Sequence, residues 1–284
     1  MNIAFALNHM TTARLRYDKV LSLAEALGCV GIEFRNDLPG ELFDGDAPEK
    51  IRRLAKTASL RILGLSEIKM FNFWSDERKK ETVALIDIAK AIGAESVSLI
   101  PRSDGQGLGN GERQANLRLA LRELLPMLNN AGLIGLVEPL GFEHSSLRFK
   151  AEAMDAIDGV GGRGVFRLVH DTFHHHLAGE TAIFCEDTGI VHISGIVDPH
   201  ISVREMQDSH RVLVDETDRL GNITQLKELR NAGYDGPISF EAFSPIVHRD
   251  ENPLRSISES IRYVTDALSE IPISQKNHKK TAVN

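Results

Sequence analysis

The chain has 284 residues, of which 42% are hydrophobic and 26% are charged, and its formal net charge is −7. This length and composition suit one globular domain of the size of an α/β barrel. The acidic balance argues against a nucleic-acid partner, because Lys and Arg normally supply phosphate binding, so we expect a small-molecule substrate.

Eight short apolar segments recur along the chain, each five to seven residues long and rich in Val, Ile, Leu and Phe. This length and composition are typical of strands buried on both faces of a parallel sheet. The predicted strands are 2–7, 29–34, 61–66, 96–101, 133–139, 165–171, 190–194 and 237–243.

Helical patterns separate several of these strands. Apolar residues recur along one face of 18–28, and both this segment and 77–93 end in a glycine, a common helix stop signal. Pro126 predicts a kink within a third helix. The predicted helices are 18–28, 77–93, 111–132, 222–233 and 254–271.

Strands that alternate with helices predict a closed (β/α)8 barrel, a TIM barrel, in a single domain spanning 1–271. The polar segment 272–284 is predicted to be a flexible tail. An open doubly wound sheet is the alternative fold. It normally carries a GxGxxG motif after its first strand, and "ALNHMTTARLRY" has none.

The first residues, the longest apolar runs and the two cysteines bear on the cellular compartment. The first residues lack the basic segment of a secretory signal, and no apolar run approaches the ~18 residues of a membrane span. Cys29 and Cys185 form no CxxC pair, which favours two reduced thiols. We therefore expect a cytoplasmic protein without a membrane partner.

Metal-ligand side chains occur at four consecutive predicted strands. Glu138 ends the fifth, Asp171 ends the sixth, His192 lies in the seventh and Glu241 ends the eighth. Active sites of these barrels lie at the carboxyl ends of the strands, so the four side chains should converge. This oxygen-rich set suits Mn²⁺, Mg²⁺, Co²⁺ or Zn²⁺ with open positions for substrate oxygens. The predicted cofactor is one divalent metal ion.

A single carboxylate at a strand end often serves only as a helix cap or in an ion pair. Four such groups from adjacent strands are harder to explain in this way, because converging unpaired carboxylates would repel one another without a cation. Within "HDTFHHH" the ligand should be Asp171, and His174 should face the same cavity. Since adjacent side chains diverge, His175 and His176 are predicted to be solvated.

These strand-end motifs resemble those of the xylose-isomerase-like barrel superfamily, which includes inosose isomerases, hydroxypyruvate isomerases, ketose 3-epimerases and apurinic endonucleases. The resemblance covers roughly residues 1–270 and is greatest for the inosose (2-keto-myo-inositol) isomerase type of bacterial inositol catabolism. The matching pieces are "LNHMTT", "GIEFR", "VEPLGF", "HDTFHHH", "VHIS", "DSHRVLVDETDRLGNI" and "GPISFEAFSP".

The resemblance implies metal ligands at Glu138, Asp171, His192 and Glu241, and substrate contacts at His174 and Arg211. It also implies proton transfer through a cis-enediolate, with Glu138 and Glu241 as the catalytic pair on opposite faces of the carbon. A proton next to a ketone is too weakly acidic for a free carboxylate, so the metal and Arg211 must stabilise the enolate charge. The expected enzyme is an isomerase or epimerase of a keto-cyclitol or small keto-sugar.

One segment departs from the pattern. His210, in "DSHR", stands where inosose isomerase-like sequences commonly have an acidic residue. Asp208-x-His210 resembles a zinc-binding motif of apurinic endonucleases, but the third and fourth strands lack the further histidines that those enzymes need. We therefore predict that His210 lines the substrate pocket or supports Arg211. Glu67 is either a further cavity acid or part of an ion pair, and Glu33 has either a structural or a functional role.

Alternative functions stay open at this point. A lyase of the inosose dehydratase type would use the same site, an apurinic endonuclease-like nuclease is less favoured, and a binding module without catalysis is a third class. The sequence names neither the substrate nor the metal. It also leaves the oligomeric state open, although barrels of this size often form homodimers.

Overall fold

The computed structural model describes residues 3–269, so the predicted tail lies outside the described residues. Eight parallel strands close into a barrel in chain order, and the last pairs with the first. The predicted (β/α)8 fold is therefore confirmed. The strands are β1 (Phe5–Asn8), β2 (Gly31–Arg35), β3 (Arg61–Lys69), β4 (Ser96–Ile100), β5 (Ile134–Val137), β6 (Phe166–Asp171), β7 (Thr188–Ile193) and β8 (Ile238–Phe240).

Helices follow the strands and cover the outside of the barrel. Those within the described residues are α1 (Tyr17–Ala26), α2 (Pro48–Thr57), α3 (Asp76–Ile92), α4 (Asn110–Ala131), α5 (Lys150–Gly159), α6 (Thr172–Ala178), α7 (Asn222–Asn231), α8 (Pro245–His248) and α9 (Pro253–Ser269). The predicted helices correspond to α1, α3, α4, α7 and α9, and the sequence pattern misses the other four. Pro126 does not end α4, which continues to Ala131.

Two of the missed helices bury few large apolar residues. In α2 only Ile51 and Ala55 are buried, although the helix has Pro48 at a favourable position in its first turn. In α5 two of the buried residues are the alanines Ala153 and Ala156, which give little hydrophobic contrast. Such helices are recognised less by periodicity than by the strands on either side of them.

The barrel interior has an apolar floor beneath a polar mouth. Small and branched side chains from five strands form a separate buried cluster, made of Ala6, Leu63, Leu136, Val169 and Ile190. Nearer the carboxyl ends of the strands, the buried residues include Glu33, His192 and Ser239. Polar chemistry is therefore confined to one end of the barrel, as in other TIM barrels.

Two further observations bear on the expected compartment. Cys29 and Cys185 are both free, as expected of reduced thiols. No helix between residues 3 and 269 is long and apolar enough to cross a membrane.

Candidate metal centre

The four predicted ligands converge at the carboxyl end of the barrel. Each of Glu138, Asp171, His192 and Glu241 is buried and offers one ligand atom, and these atoms all lie within 4.8 Å of one another. The span is close to that of a coordination sphere with bonds of about 2.0–2.2 Å. Closure of the barrel brings the four groups together, because they stand at or next to the ends of β5 to β8.

Asp171 has two roles at once. Its Oδ1 accepts hydrogen bonds from the backbone nitrogens of Phe173 (2.7 Å) and His174 (3.1 Å), which caps α6. Its Oδ2 faces the centre and accepts a bond of 2.5 Å from Nη2 of Arg211. The helix-cap and metal-ligand interpretations are therefore compatible, because each uses a different oxygen.

The ring of His192 is oriented by a carboxylate, which leaves Nδ1 facing the other candidate ligands. Its Nε2 donates to Oε2 of Glu33 at 3.1 Å, and the other oxygen of Glu33 accepts a 2.6 Å bond from Ser239. Nδ1 is buried and has no hydrogen-bond partner among the described residues, although Oε2 of Glu241 lies 3.2 Å away. A carboxylate on one ring nitrogen and an open second nitrogen are typical of a metal-binding histidine. The donor set therefore fits a divalent cation, and Glu33 supports His192.

The two glutamates of the centre have unlike surroundings. Oε1 of Glu241 accepts hydrogen bonds from Arg35 (2.7 Å) and Asn8 (3.1 Å), and its Oε2 accepts one of 3.0 Å from Arg211. The carboxylate of Glu138 makes no hydrogen bond within residues 3–269, and Nε2 of His174 is 3.9 Å from its Oε1. Glu241 is thus fixed in place, whereas Glu138 is free to shift.

These surroundings separate the acidities of the pair. Burial and the negative charge of Glu241 raise the pKa of Glu138 well above its ordinary value. Burial also acts to raise the pKa of Glu241, but His192, Arg211 and Arg35 outweigh it and lower that pKa. A bound divalent cation would favour the ionised form of both groups.

Arg35 is a part of the site that the sequence analysis missed. It ends β2, is buried, and is held in a bidentate pair by Asp37, with both hydrogen bonds at 2.8 Å. Its third contact is the bond to Glu241, so it acts from the side of the carboxylate opposite Arg211. The available signal was a charged residue at the end of an apolar strand in "GIEFR".

A cavity of about 370 Å³ opens above the centre. Glu138, Glu241, His174 and Arg211 all line it, so the two predicted substrate contacts lie beside the two glutamates. Nδ1 of His174 accepts a 3.3 Å bond from the backbone nitrogen of Gly141, which leaves Nε2 toward Glu138. The side chain of Arg211 is 1% exposed and also bonds Asp208 and Ser194.

His210 is not among the residues that line this cavity. Its Nδ1 accepts a 3.1 Å hydrogen bond from the backbone nitrogen of Gln207, and its side chain is half-buried. His210 thereby stabilises the turn that carries Asp208 and Arg211. Its predicted pocket role has no support from this position. Support of Arg211 through the turn stays a prediction.

Behind α6 lies a buried cluster around Lys150. Its Nζ donates to Nδ1 of His175 (2.7 Å) and Nδ1 of His170 (3.1 Å), and Glu180 lies 3.8 Å away. His175 is therefore half-buried and bonded, not solvated as predicted, because the start of α5 packs against α6. His176 is half-buried as well.

Replacement of Lys150 by Met is expected to change how stability depends on pH. Burial lowers the pKa of Lys150 from 10.5 to about 8. Above that pKa the unfolded chain binds a proton that the folded chain does not, so Lys150 makes stability rise with pH. The free energy of unfolding of the wild type, relative to Lys150→Met, should rise by about 2 kcal/mol from about pH 7.5 to about pH 10. Urea unfolding of both proteins at each pH measures this difference.

The matched control is Lys80→Met, at an exposed position of α3. Its difference from the wild type should stay constant over the same pH range. An equally constant difference for Lys150→Met would contradict the buried, bonded state of the amine.

A closed barrel with a buried carboxylate–histidine cluster at its mouth defines a TIM barrel with a candidate metal centre. The chain belongs to the xylose isomerase-like TIM barrel family, whose model matches residues 21–267. No curated protein sequence matches the chain.

Solved structures with the same fold include proteins of several descriptions. A xylose isomerase domain-containing protein from Salmonella typhimurium LT2 is 30% identical, with a TM-score of 0.87 over 95% of this chain and 100% of that chain. The IolI protein with a bound zinc atom is 22% identical, with a TM-score of 0.80 over 94% and 98%. D-Psicose 3-epimerase with D-tagatose, from Clostridium cellulolyticum H10, is 15% identical, with a TM-score of 0.70 over 94% and 99%.

Proposed function

We propose that the protein is a divalent-metal-dependent isomerase or epimerase of a keto-cyclitol or small keto-sugar. The observation that carries the proposal is the convergence of Nδ1 of His192 with three buried carboxylates, next to a cavity lined by two unlike glutamates. A divalent cation there would polarise the ketone and the adjacent hydroxyl of the substrate.

The two glutamates suit proton transfer on the carbon next to the ketone. Glu138 has no hydrogen bond to break, so its carboxylate can move to take or return the proton. Glu241 is held by Arg35, Asn8 and Arg211 and keeps one orientation. Burial of both groups excludes water from the transfer. The enolate charge that develops lies within reach of Arg211, which preorganises positive charge at that point.

Known proteins of this fold add support for the class of activity. The zinc in the IolI structure favours a divalent metal on this barrel, and D-tagatose in the epimerase structure favours a ketose. The motif resemblance to inosose isomerase-type proteins favours a keto-cyclitol and a role in inositol catabolism. A cytoplasmic location and a homodimer are part of the same proposal, and no nucleic-acid partner is included.

A two-metal, nuclease-like site gains no support from the same region. Within residues 3–269 the histidine and acidic side chains that gather at ligand distance are the four of the candidate centre. Asp208 pairs with Arg211, and His210 bonds Gln207. Two groups alone would hold a second ion weakly.

Metal analysis followed by proton exchange tests the proposed function. The purified protein should hold about one divalent ion per chain. With inososes or ketoses in D₂O, NMR should show deuterium entering the carbon next to the ketone, and chelation should stop it. Release of water with a new carbon–carbon double bond would instead show the lyase. Exchange that persists in the metal-free protein would overturn the proposal.

A further inference from the structure

Glu67 is a cavity acid that the proposed chemistry does not use. It lies near the end of β3, its side chain is 10% exposed, and it lines the cavity. Its backbone is fixed by Asn36, whose side chain accepts from the nitrogen of Glu67 at 2.8 Å and donates to its oxygen at 3.1 Å. The position of the carboxylate is therefore set by the barrel.

The carboxylate of Glu67 has an open hydrogen-bonding capacity. It makes no hydrogen bond with any residue in 3–269, and the ion pair with Nη2 of Arg35 is long, at 3.6 Å. Arg35 does not need it, because Asp37 and Glu241 already accept hydrogen bonds from all three of its nitrogens. A nearly buried carboxylate without donors is costly, and burial accordingly raises the pKa of Glu67. A donor from a bound molecule would remove that cost.

Glu67 lies to one side of the metal centre, beyond the guanidinium group of Arg35. Nη1 of Arg35 contacts Glu241 and Nη2 faces Glu67, so one guanidinium group separates the two carboxylates. Apolar side chains, including Phe142 and Phe243, also line the cavity. A molecule whose ketone lies at the centre would therefore bring a hydroxyl several carbons away toward Glu67.

The charge around Glu67 disfavours an anionic group at this end. The cavity lining carries six carboxylates and three Lys or Arg side chains. Arg35 and Arg211 are both paired with carboxylates, and Lys69 is exposed. A phosphate next to Glu67 would meet a negative charge whose one ion pair, to Arg35, is long.

We propose that Glu67 is a specificity-determining residue, which accepts a hydrogen bond from a substrate hydroxyl remote from the ketone and rejects a phosphate at that position. The inference rests on the proposed function and adds to it the selection of a neutral polyhydroxylated substrate.

Ligand binding to the metal-loaded protein tests this role without turnover. Calorimetry would measure myo-inositol, D-fructose and D-fructose 6-phosphate against the wild type, Glu67→Ala and Glu67→Gln. Glu67→Ala should bind the neutral polyols about tenfold more weakly, the scale of a hydrogen bond to a charged group, and the phosphate more tightly. Glu67→Gln keeps an acceptor oxygen, so it should lose less polyol affinity and still gain phosphate affinity.

The matched control is Asp104→Asn, a cavity carboxylate that Arg102 already binds at 2.8 and 2.9 Å. It should change both affinities less than Glu67→Ala does. Thermal unfolding establishes that each variant is folded, and Glu67→Gln serves if the alanine variant is not.

Weaker binding of the polyols together with tighter binding of the phosphate supports the inference, since a merely structural effect would weaken both. Equal changes in the two affinities, no change in either, or the same changes in Asp104→Asn would overturn it. If the wild type exchanges deuterium with the substrate and Glu67→Ala binds polyols as tightly as the wild type does, this inference is wrong and the proposed function still stands. A wild type that neither exchanges nor binds a polyol overturns both.

Discussion

Glu138→Gln should reduce turnover by about two to four orders of magnitude, the range expected when a positioned acid–base group is lost. The amide keeps the volume of the side chain but can neither take a proton nor bind a cation as strongly. Metal affinity should therefore fall as well. Steady-state rates and metal content, measured on the same preparation, give both numbers.

The stability of the metal-free protein should respond to the two glutamates with opposite signs. The pKa of Glu138 is raised in the folded state, so its ionisation costs stability as pH rises above about 4.5, and Glu138→Gln should raise the Tm at neutral pH. The pKa of Glu241 is lowered, so its charge contributes stability above the same pH. Glu241→Gln removes one buried carboxylate from both Arg35 and Arg211, which keep Asp37 and Asp171, and should cost up to ~3–5 kcal/mol.

Glu143→Gln is the control for this pair, because Glu143 and its partner Arg204 are both well exposed near the mouth. Its activity and Tm should match the wild type within error. Shifts of the same sign in Glu138→Gln and Glu241→Gln would show that the two carboxylates do not differ as the structure indicates.

The barrel and the convergence of the four candidate ligands could be predicted because each depends on a local pattern. Apolar runs mark the strands, and closure then places every strand end at one mouth, so Glu138 and Asp171 meet without any knowledge of loop structure. Helices such as α2 and α5 were missed, because few large apolar residues mark their buried faces.

The residues that orient the ligands could not be predicted in the same way. Glu33 reaches His192 across the barrel from β2 to β7, and Arg35 reaches Glu241 beyond β8. Such contacts depend on strand stagger and side-chain rotamers, which sequence spacing does not encode. For the same reason the bond between Lys150 and His175 was missed, because the contact between α5 and α6 is tertiary and local spacing does not encode it.

The contacts of Arg211 lead to the second large expected effect. Arg211→Ala should cost roughly 2–4 kcal/mol in transition-state stabilisation, seen as a fall in kcat/KM of about 30- to 1,000-fold. Its Nη2 contacts Asp171 and Glu241, so Arg211 and a metal ion use the same carboxylates. Loss of the guanidinium removes a positive charge near the cation and no ligand atom. Metal content should therefore stay near the wild-type value.

Arg211→Lys separates charge from geometry in that prediction. A lysine can keep a positive charge near Asp171 but cannot reproduce the planar contacts with Ser194 and Asp208 or the packing on Phe243. It should recover part of the activity lost in Arg211→Ala. It should not recover the stability that the contacts with Ser194 and Asp208 provide. Calorimetric metal titration of both variants, alongside kcat and KM, checks the assignment. Loss of the metal in either variant would place Arg211 among the groups that hold the cation site together, and not among those that bind substrate.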